Sequence, residues 1–343
     1  MKCVVWDLDN TLWQGTLLEN DRLSLKPGVN DVIATLDRRG ILHSIASRND
    51  HDAAMAMLDR FGLAEYFLAP QINWGAKSAS LQAVAKELNL GLDALAFVDD
   101  EPYEREEVAF TLPQVRCFDA RDLATLPERP ELNPPHVTAD AARRRAMYQA
   151  DARRRGAEEG HAGPQESFLA SLGMRLRIAP AREEDLRRAE ELTVRTNQLN
   201  TTGYTYSYAE LDAFRRSDDS MLLVAGLEDK FGPYGTIGLA LVDLSPAGWT
   251  LKLLLMSCRV MSRGVGVVLI NHIRRMARDA GVRLMAEFVR TPRNRMMYVT
   301  YKFNNFTDAG QRGEVLLLEA DLSDIPPDPS YLEVEHETWA LTS

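Results

Sequence analysis

Two aspartates two positions apart, Asp7 and Asp9, stand directly behind the apolar run Val4 to Trp6 and ahead of Asn10-Thr11. Carboxylates so spaced at a strand end can divide the work of phosphoryl transfer: one attacks phosphorus, the other protonates the leaving oxygen and later activates water. Asp7 is read as the nucleophile and Asp9 as the acid and base. Ser47 follows the run Ile41 to Ala46 and can donate to a phosphoryl oxygen; Lys77, at a helix start, can neutralise nucleophile and phosphate. Asp99-Asp100 follows Leu95 to Val98. With Asp7 and the backbone carbonyl of Asp9, an acid there gives the oxygen-rich, partly hydrated shell that Mg2+ prefers. Asp100 is read as the ligand, and Asp99 as the residue behind it. Any one of these is weak, since Asp-x-Asp usually marks a turn and a lone lysine is usually solvated. Four in order, at successive predicted strand ends and the helix start of Lys77, carry the reading.

A second group lies far along the chain. The run Leu251 to Met256 delivers Ser257-Cys258-Arg259 to the loop Arg263-Gly264-Val265-Gly266, which opens a helical stretch. Backbone N–H groups at such a loop can bind a pyrophosphate or phosphopantetheine, and they lower the pKa of a nearby thiol. Cys258 is therefore either an acyl nucleophile beside Arg259 or a small buried hydrophobe at a strand end. His272, on the following helix, is either its base or a structural histidine. Cys3 and Cys117 fall in apolar runs and read as core residues.

The elements that must position these groups are legible from periodicity. Residues 1 to about 125 alternate short apolar runs with amphipathic stretches, the pattern of βαβ units around a parallel sheet. Strands are predicted at Val4–Trp6, Ile41–Ala46, Leu95–Val98 and Val115–Phe118. A helix over Ser80–Leu90 puts Leu81, Val84, Ala85 and Leu88 on one face, and Pro27 suits the first turn of a helix. The 35 positions between Thr11 and Ser47, and a similarly short stretch before Lys77, leave no room for a full cap domain. Residues 126–165 read as a linker: four prolines between Ala124 and Pro135, then an Arg- and Ala-rich helix along a junction, with a lipid- or nucleic-acid-binding arm as the alternative. From 166 to 343 the pattern changes to α+β, with a helix over Glu183–Asn197, strands at Met221–Leu227, Thr236–Asp243 and Trp249–Met256, a helix over Val265–Ala280 and a strand at Arg283–Val289.

At 343 residues and 45% apolar content the chain can bury two cores. Its net charge of -10 argues against a nucleic-acid partner. No apolar run of about 18 residues is present, and the first residues do not form a signal peptide, so a cytoplasmic protein with no membrane partner is expected. Three cysteines without pairing suggest neither a disulfide framework nor a zinc site.

The four N-terminal elements resemble the motifs of the haloacid dehalogenase (HAD) family, and Arg-Gly-x-Gly before an apolar helix, with Met296-Met297-Tyr298 to Phe303 later, resembles the GNAT acyltransferases. The fold expected is thus a HAD-like, Rossmann-type parallel sheet without a large cap, followed by a GNAT-like α+β domain. The combination of Asp7-Leu8-Asp9-Asn10-Thr11-Leu12-Trp13, Arg195-Thr196-Asn197-Gln198-Leu199-Asn200, Phe231-Gly232-Pro233-Tyr234-Gly235 and Met256-Ser257-Cys258-Arg259-Val260 with Arg263-Gly264 looks like the FkbH-like family, over nearly the whole chain. That resemblance implies an enzyme that dephosphorylates 1,3-bisphosphoglycerate and loads the glyceryl unit onto the phosphopantetheine thiol of an acyl carrier protein, for polyketide and other natural-product assembly. It implies an Asp7 phosphoenzyme, a Cys258 thioester, pantetheine held near Arg263, Gly264 and Gly266, and Mg2+ as cofactor. Two other readings remain: a HAD-type phosphatase whose second domain only binds, and a GNAT-like acyltransferase with a vestigial HAD half.

Overall fold

A computed structural model describes residues 1–19, 22–134, 136–196 and 198–337; for Arg195 and Cys258 it describes the backbone only. The chain divides into two compact units, Met1–Gln149 and Ala150–Ser343.

In the first unit, five parallel strands are labelled β1 (Cys3–Trp6), β2 (Leu42–Ser47), β3 (Gln71–Ile72), β4 (Leu95–Asp99) and β5 (Arg116–Asp119), in the sheet order β3-β2-β1-β4-β5. The strands β1, β2 and β4 are buried along their whole length, as expected of a sheet covered on both faces. Helix α1 (Val29–Arg38) buries Val29, Val32, Ile33 and Leu36, the i, i+3, i+4, i+7 stripe of a helix laid on a sheet. Its N-cap is Gly28 at φ 84°, so Pro27 stands outside the helix rather than in its first turn. Helix α2 (His51–Arg60) is capped by the Asp50 side chain, which accepts from Ala53 N–H at 2.9 Å. Helices α3 (Lys77–Glu87) and α4 (Pro102–Thr111) follow β3 and β4. Between β1 and α1 the described residues form a small ribbon, Trp13–Gln14 paired with Ser24–Leu25.

The chain runs from β1 outward through β2 and β3, then returns to β4 on the other side of β1. This reversal opens a crevice at the carboxyl ends of β1 and β4, the usual ligand position in an open parallel sheet.

Helix α5 (Arg144–Glu159) spans the boundary between the units. Two of its arginines form ion pairs within their own units. Arg145 bonds Asp37 and Glu65 in the first unit, while Arg154, in the second, holds the buried Asp229 at 2.8 Å and lies over the Tyr234 ring. In the second unit follow α6 (Gln165–Ser171), β6 (Met174–Pro180), α7 (Leu186–Arg195), α8 (Tyr208–Arg216), β7 (Ser220–Asp229), β8 (Gly232–Ser245), β9 (Gly248–Met256), α9 (Val265–Asp279), β10 (Leu284–Val289), α10 (Arg295–Phe303), β11 (Phe306–Arg312), β12 (Val315–Ala320) and β13 (Leu332–His336). They build one eight-stranded sheet in the order β11-β12-β10-β9-β8-β7-β6-β13.

The strands β9 and β10 are parallel neighbours, bridged by α9, but they pair only from Trp249–Leu251 to Leu284–Ala286. Beyond that point the segment around Asn200 lies between them: Met256 N–H donates to Leu199 O, Thr201 N–H to Leu254 O and Val289 N–H to Thr201 O. No helix among the described residues is long and apolar enough to cross a membrane.

Candidate active site

The sheet register brings the expected residues of the first unit to one place. Trp6 is paired with Ile45 and Val98, so Asp7, Ser47, Asp99 and Asp100 all emerge at the same edge. Lys77, the first residue of α3, sends its ammonium group into this edge. It donates to Asp7 Oδ1 at 2.5 Å, to Asp99 Oδ2 at 3.0 Å and to the Ala46 carbonyl at 2.8 Å. Lys77 is only 3% exposed. Burial alone would favour the neutral amine, but the two carboxylates outweigh it and raise its pKa above the ordinary lysine value.

Each aspartate has a different environment. Asp99 is buried, with Oδ1 accepting from Glu101 N–H at 2.8 Å and Oδ2 occupied by Lys77; burial first, and the Asp7 charge second, raise its pKa. Asp100 is half-buried. Its Oδ1 accepts from the Thr11 hydroxyl at 3.2 Å, and its N–H donates back to Thr11 Oγ1 at 3.1 Å, which ties the loop after β1 to the loop after β4. Asp9 turns aside from this group and accepts three N–H bonds, from Trp13 Nε1 at 2.7 Å, Leu17 N at 3.0 Å and Asn49 Nδ2 at 2.9 Å. Burial raises its pKa in spite of those bonds, and a carboxyl so held can carry a proton to a leaving oxygen.

Asp7, Asp99 and Asp100 can each turn one carboxylate oxygen to within 4.8 Å of the others. This all-oxygen donor set fits Mg2+, a hard cation that takes one or two carboxylates and keeps several waters. Asp100 brings an oxygen free of the Lys77 ammonium, whereas both oxygens of Asp99 already have donors. Ser47 is buried one position beyond the level of Asp7. Arg48, next along, bonds Glu104 at 2.7 Å and the Gly75 carbonyl at 3.2 Å, linking the loops after β2 and β3 to the first turn of α4. Trp13, Asn49, Thr11 and Arg48 had no role in the sequence reading. Asn49 stands two residues after Ser47, and Thr11 and Trp13 lie within the Asp7 motif, so proximity to the motifs was the available signal.

In the second unit, β9 ends at Met256 and Cys258–Arg263 forms a short 3-10 turn leading into α9. The Cys258 side chain lies outside the described residues. Gly264 adopts φ 76°, a left-handed conformation that favours glycine. No side chain among the described residues caps α9, whose N-cap is Gly264 and whose second residue is Gly266. Arg263 is buried, with Nη2 bound to Glu158 at 3.0 Å and its guanidinium over Phe168, while Nε and Nη1 have no partner among the described residues. Arg259 donates to the Tyr234 carbonyl at 2.8 Å. His272 is stacked on His336, ring centroids 4.3 Å apart, and burial lowers its pKa to about 4, so it is neutral at pH 7. Cys3 is buried in β1 and Cys117 is half-buried in β5, both with thiol pKa raised by burial, which suits inert core thiols.

No protein-family model matches the chain. Among solved structures, the chain is similar to the N-terminal part of the protein BF1531 from Bacteroides fragilis, containing a phosphatase domain complexed with Mg, at 26% identity and TM-score 0.33, over 38% of this chain and 40% of that one. It therefore spans less than half of that relative. It is also similar to the ribosomal-protein-S18-alanine N-acetyltransferase from Escherichia coli, at 16% identity and TM-score 0.35, over 43% of this chain and 95% of that one. A third similarity is to the GNAT domain of S. lividans PAT, at 21% identity and TM-score 0.34, over 41% of this chain and 88% of that one.

Proposed function

We propose that the chain is a two-centre enzyme that removes phosphate from 1,3-bisphosphoglycerate and transfers the glyceryl unit to the phosphopantetheine thiol of an acyl carrier protein. The observation that carries the first half is the buried Lys77 ammonium bridging Asp7 and Asp99, with Asp100 beside them, at the crevice of a parallel sheet. A solvated cluster of strand-end acids would not bury a lysine among them.

In this reading Asp7 attacks the phosphorus on C3, and the C3 oxygen leaves with the proton held by Asp9. Asp9 then takes a proton from the water that hydrolyses the aspartyl phosphate. Lys77 holds the Asp7 carboxylate in line and offsets charge as it builds on the phosphoryl oxygens, and the Ser47 hydroxyl donates to one of them. Mg2+, held by Asp7, Asp100 and the Asp9 carbonyl, would neutralise phosphoryl charge. The acyl phosphate at C1 is already activated toward a thiolate. Cys258 takes the acyl group there with loss of phosphate, and the carrier's thiol then displaces Cys258 as it forms its own thioester. The sequence resemblance to the FkbH-like family, and the uncapped start of α9 behind Gly264, support this half.

Intact-mass measurement tests the reading: a holo carrier protein incubated with the enzyme, Mg2+ and 1,3-bisphosphoglycerate should gain one glyceryl group. Phosphate release without any carrier adduct would favour a plain phosphatase whose second domain only binds.

A further inference from the structure

The loop between β10 and α10 is charged in a way the fold itself does not need. Arg290, Arg293 and Arg295 lie within six positions, all exposed, and no acidic partner bonds any of them among the described residues. Elsewhere in this unit exposed arginines are mostly paired, as Arg175 with Glu228, Arg177 with Glu337 and Arg283 with Glu319. The positive cluster also sits at the start of α10, which has no acidic residue in its first turn, so its charges oppose the helix dipole.

The loop is nevertheless held firmly. Asn294 is fully buried, accepting from Thr291 N–H at 2.9 Å and donating to Val289 O at 2.9 Å and Asn200 O at 3.0 Å. Its second bond joins the arginine loop to the segment 200–204, where a Cβ on Gly203 would touch Thr291 at 3.4 Å. Two large side chains on these neighbouring segments face solvent: Tyr204 is 45% exposed and Met296 is 52% exposed. Arginine, tyrosine and methionine are the residues enriched where proteins meet. A preorganised loop also loses little freedom when a partner docks.

We propose that Arg290, Arg293, Arg295, Met296 and Tyr204 form the docking surface for an acidic protein, the carrier that brings the acceptor thiol. The choice of occupant rests on the carrier-loading reading above and on charge complementarity. A patch of unpaired positive charge on a chain of net charge -10 selects a local acidic surface, since nucleic acid would be repelled by the remainder of the molecule.

The test is loading kinetics with an acidic holo carrier protein, for the wild type and for a variant combining Arg290→Glu, Arg293→Glu and Arg295→Glu. The variant's KM for the carrier should rise about tenfold or more, and the salt dependence seen with the wild type should vanish. Replacing the same three residues with Lys should keep most of the affinity, which a purely structural role would not predict. Loading by a folded triple-Glu variant at unchanged carrier KM would overturn the docking surface while leaving the proposed function standing. An equal loss with free phosphopantetheine as acceptor would place the arginines on the arm instead of the protein and also overturn it. Arginine-dependent binding of RNA, with carrier loading unaffected, would do the same. Absence of any loading by the wild type would instead contradict the proposed function, and this surface with it.

Discussion

Asp99 and Asp100 are neighbours with different bonds: Asp99 accepts from Lys77 and from the Glu101 N–H, whereas Asp100 bonds the Thr11 hydroxyl and is the acid that would offer an oxygen to a cation. Asp100→Asn should therefore raise the Mg2+ concentration needed for half-maximal phosphate release more than Asp99→Asn, whose main effect should be lower kcat through a misplaced lysine. Magnesium titrations of both variants decide it, and the reverse order would overturn the assignment. The positions of Asp7, Ser47 and Asp99-Asp100 could be anticipated because each follows an apolar run that becomes a strand, and that of Lys77 because it opens a helix. The bonds to Asp9 could not, since Trp13 and Asn49 reach it only once the loop and β2 are folded. Asn49 Oδ1 is buried without a partner, but its amide is oriented by the Asp9 carboxylate.

Among the elements, the long central strands and the edge strand β5, expected at Val115–Phe118 and running Arg116–Asp119, were legible, whereas the edges of the second sheet were not. The strand β9 was expected at Trp249–Met256 and runs Gly248–Met256, and α9 was expected over Val265–Ala280 and runs Val265–Asp279. The edge strand β11 buries only Phe306, so it shows no apolar alternation to read, and β13 is rich in glutamate. The helix expected at Ser80–Leu90 begins three residues earlier, at Lys77, which places the ammonium at the crevice. The helix expected over Glu183–Asn197 becomes a 3-10 turn followed by Leu186–Arg195, with Asn197 outside the described residues.

Two predictions belong to this scale. His43, buried in β2, accepts from Trp6 Nε1 at 3.0 Å and donates from Nε2 to Ile33 O at 3.1 Å, so it is held neutral, and burial lowers its pKa from 6.5 to about 3. An unfolded chain binds a proton there that the folded one refuses. The stability His43 contributes is thus fully present above pH 6.5 and is lost as pH falls toward 3, by up to about 1.4 kcal/mol per pH unit. Urea unfolding followed across that window should show a shallower pH dependence for His43→Gln than for the wild type. Arg154 and Asp229 are both buried, so Arg154→Met should cost about 3 kcal/mol by stranding the carboxylate; a loss below about 1 kcal/mol in urea unfolding would show the tie is unimportant.

For the whole molecule, the division into two units means that the two proposed chemistries should be separable. The sheet crevice with Lys77 lies in the first unit and the α9 loop in the second. Cys258→Ala should lose carrier loading while keeping phosphate release from a simple aryl phosphate, and wild-type enzyme given 1,3-bisphosphoglycerate should carry a hydroxylamine-labile adduct on a peptide containing Cys258. Full loading by a folded Cys258→Ala variant would leave direct attack by the pantetheine thiol as the better account. The most direct single measurement is phosphate release by Asp7→Asn in Mg2+-replete buffer. The amide preserves shape but cannot form an aspartyl phosphate, so release should fall to background in a protein that unfolds like the wild type; near wild-type release would contradict the phosphoryl-transfer centre itself.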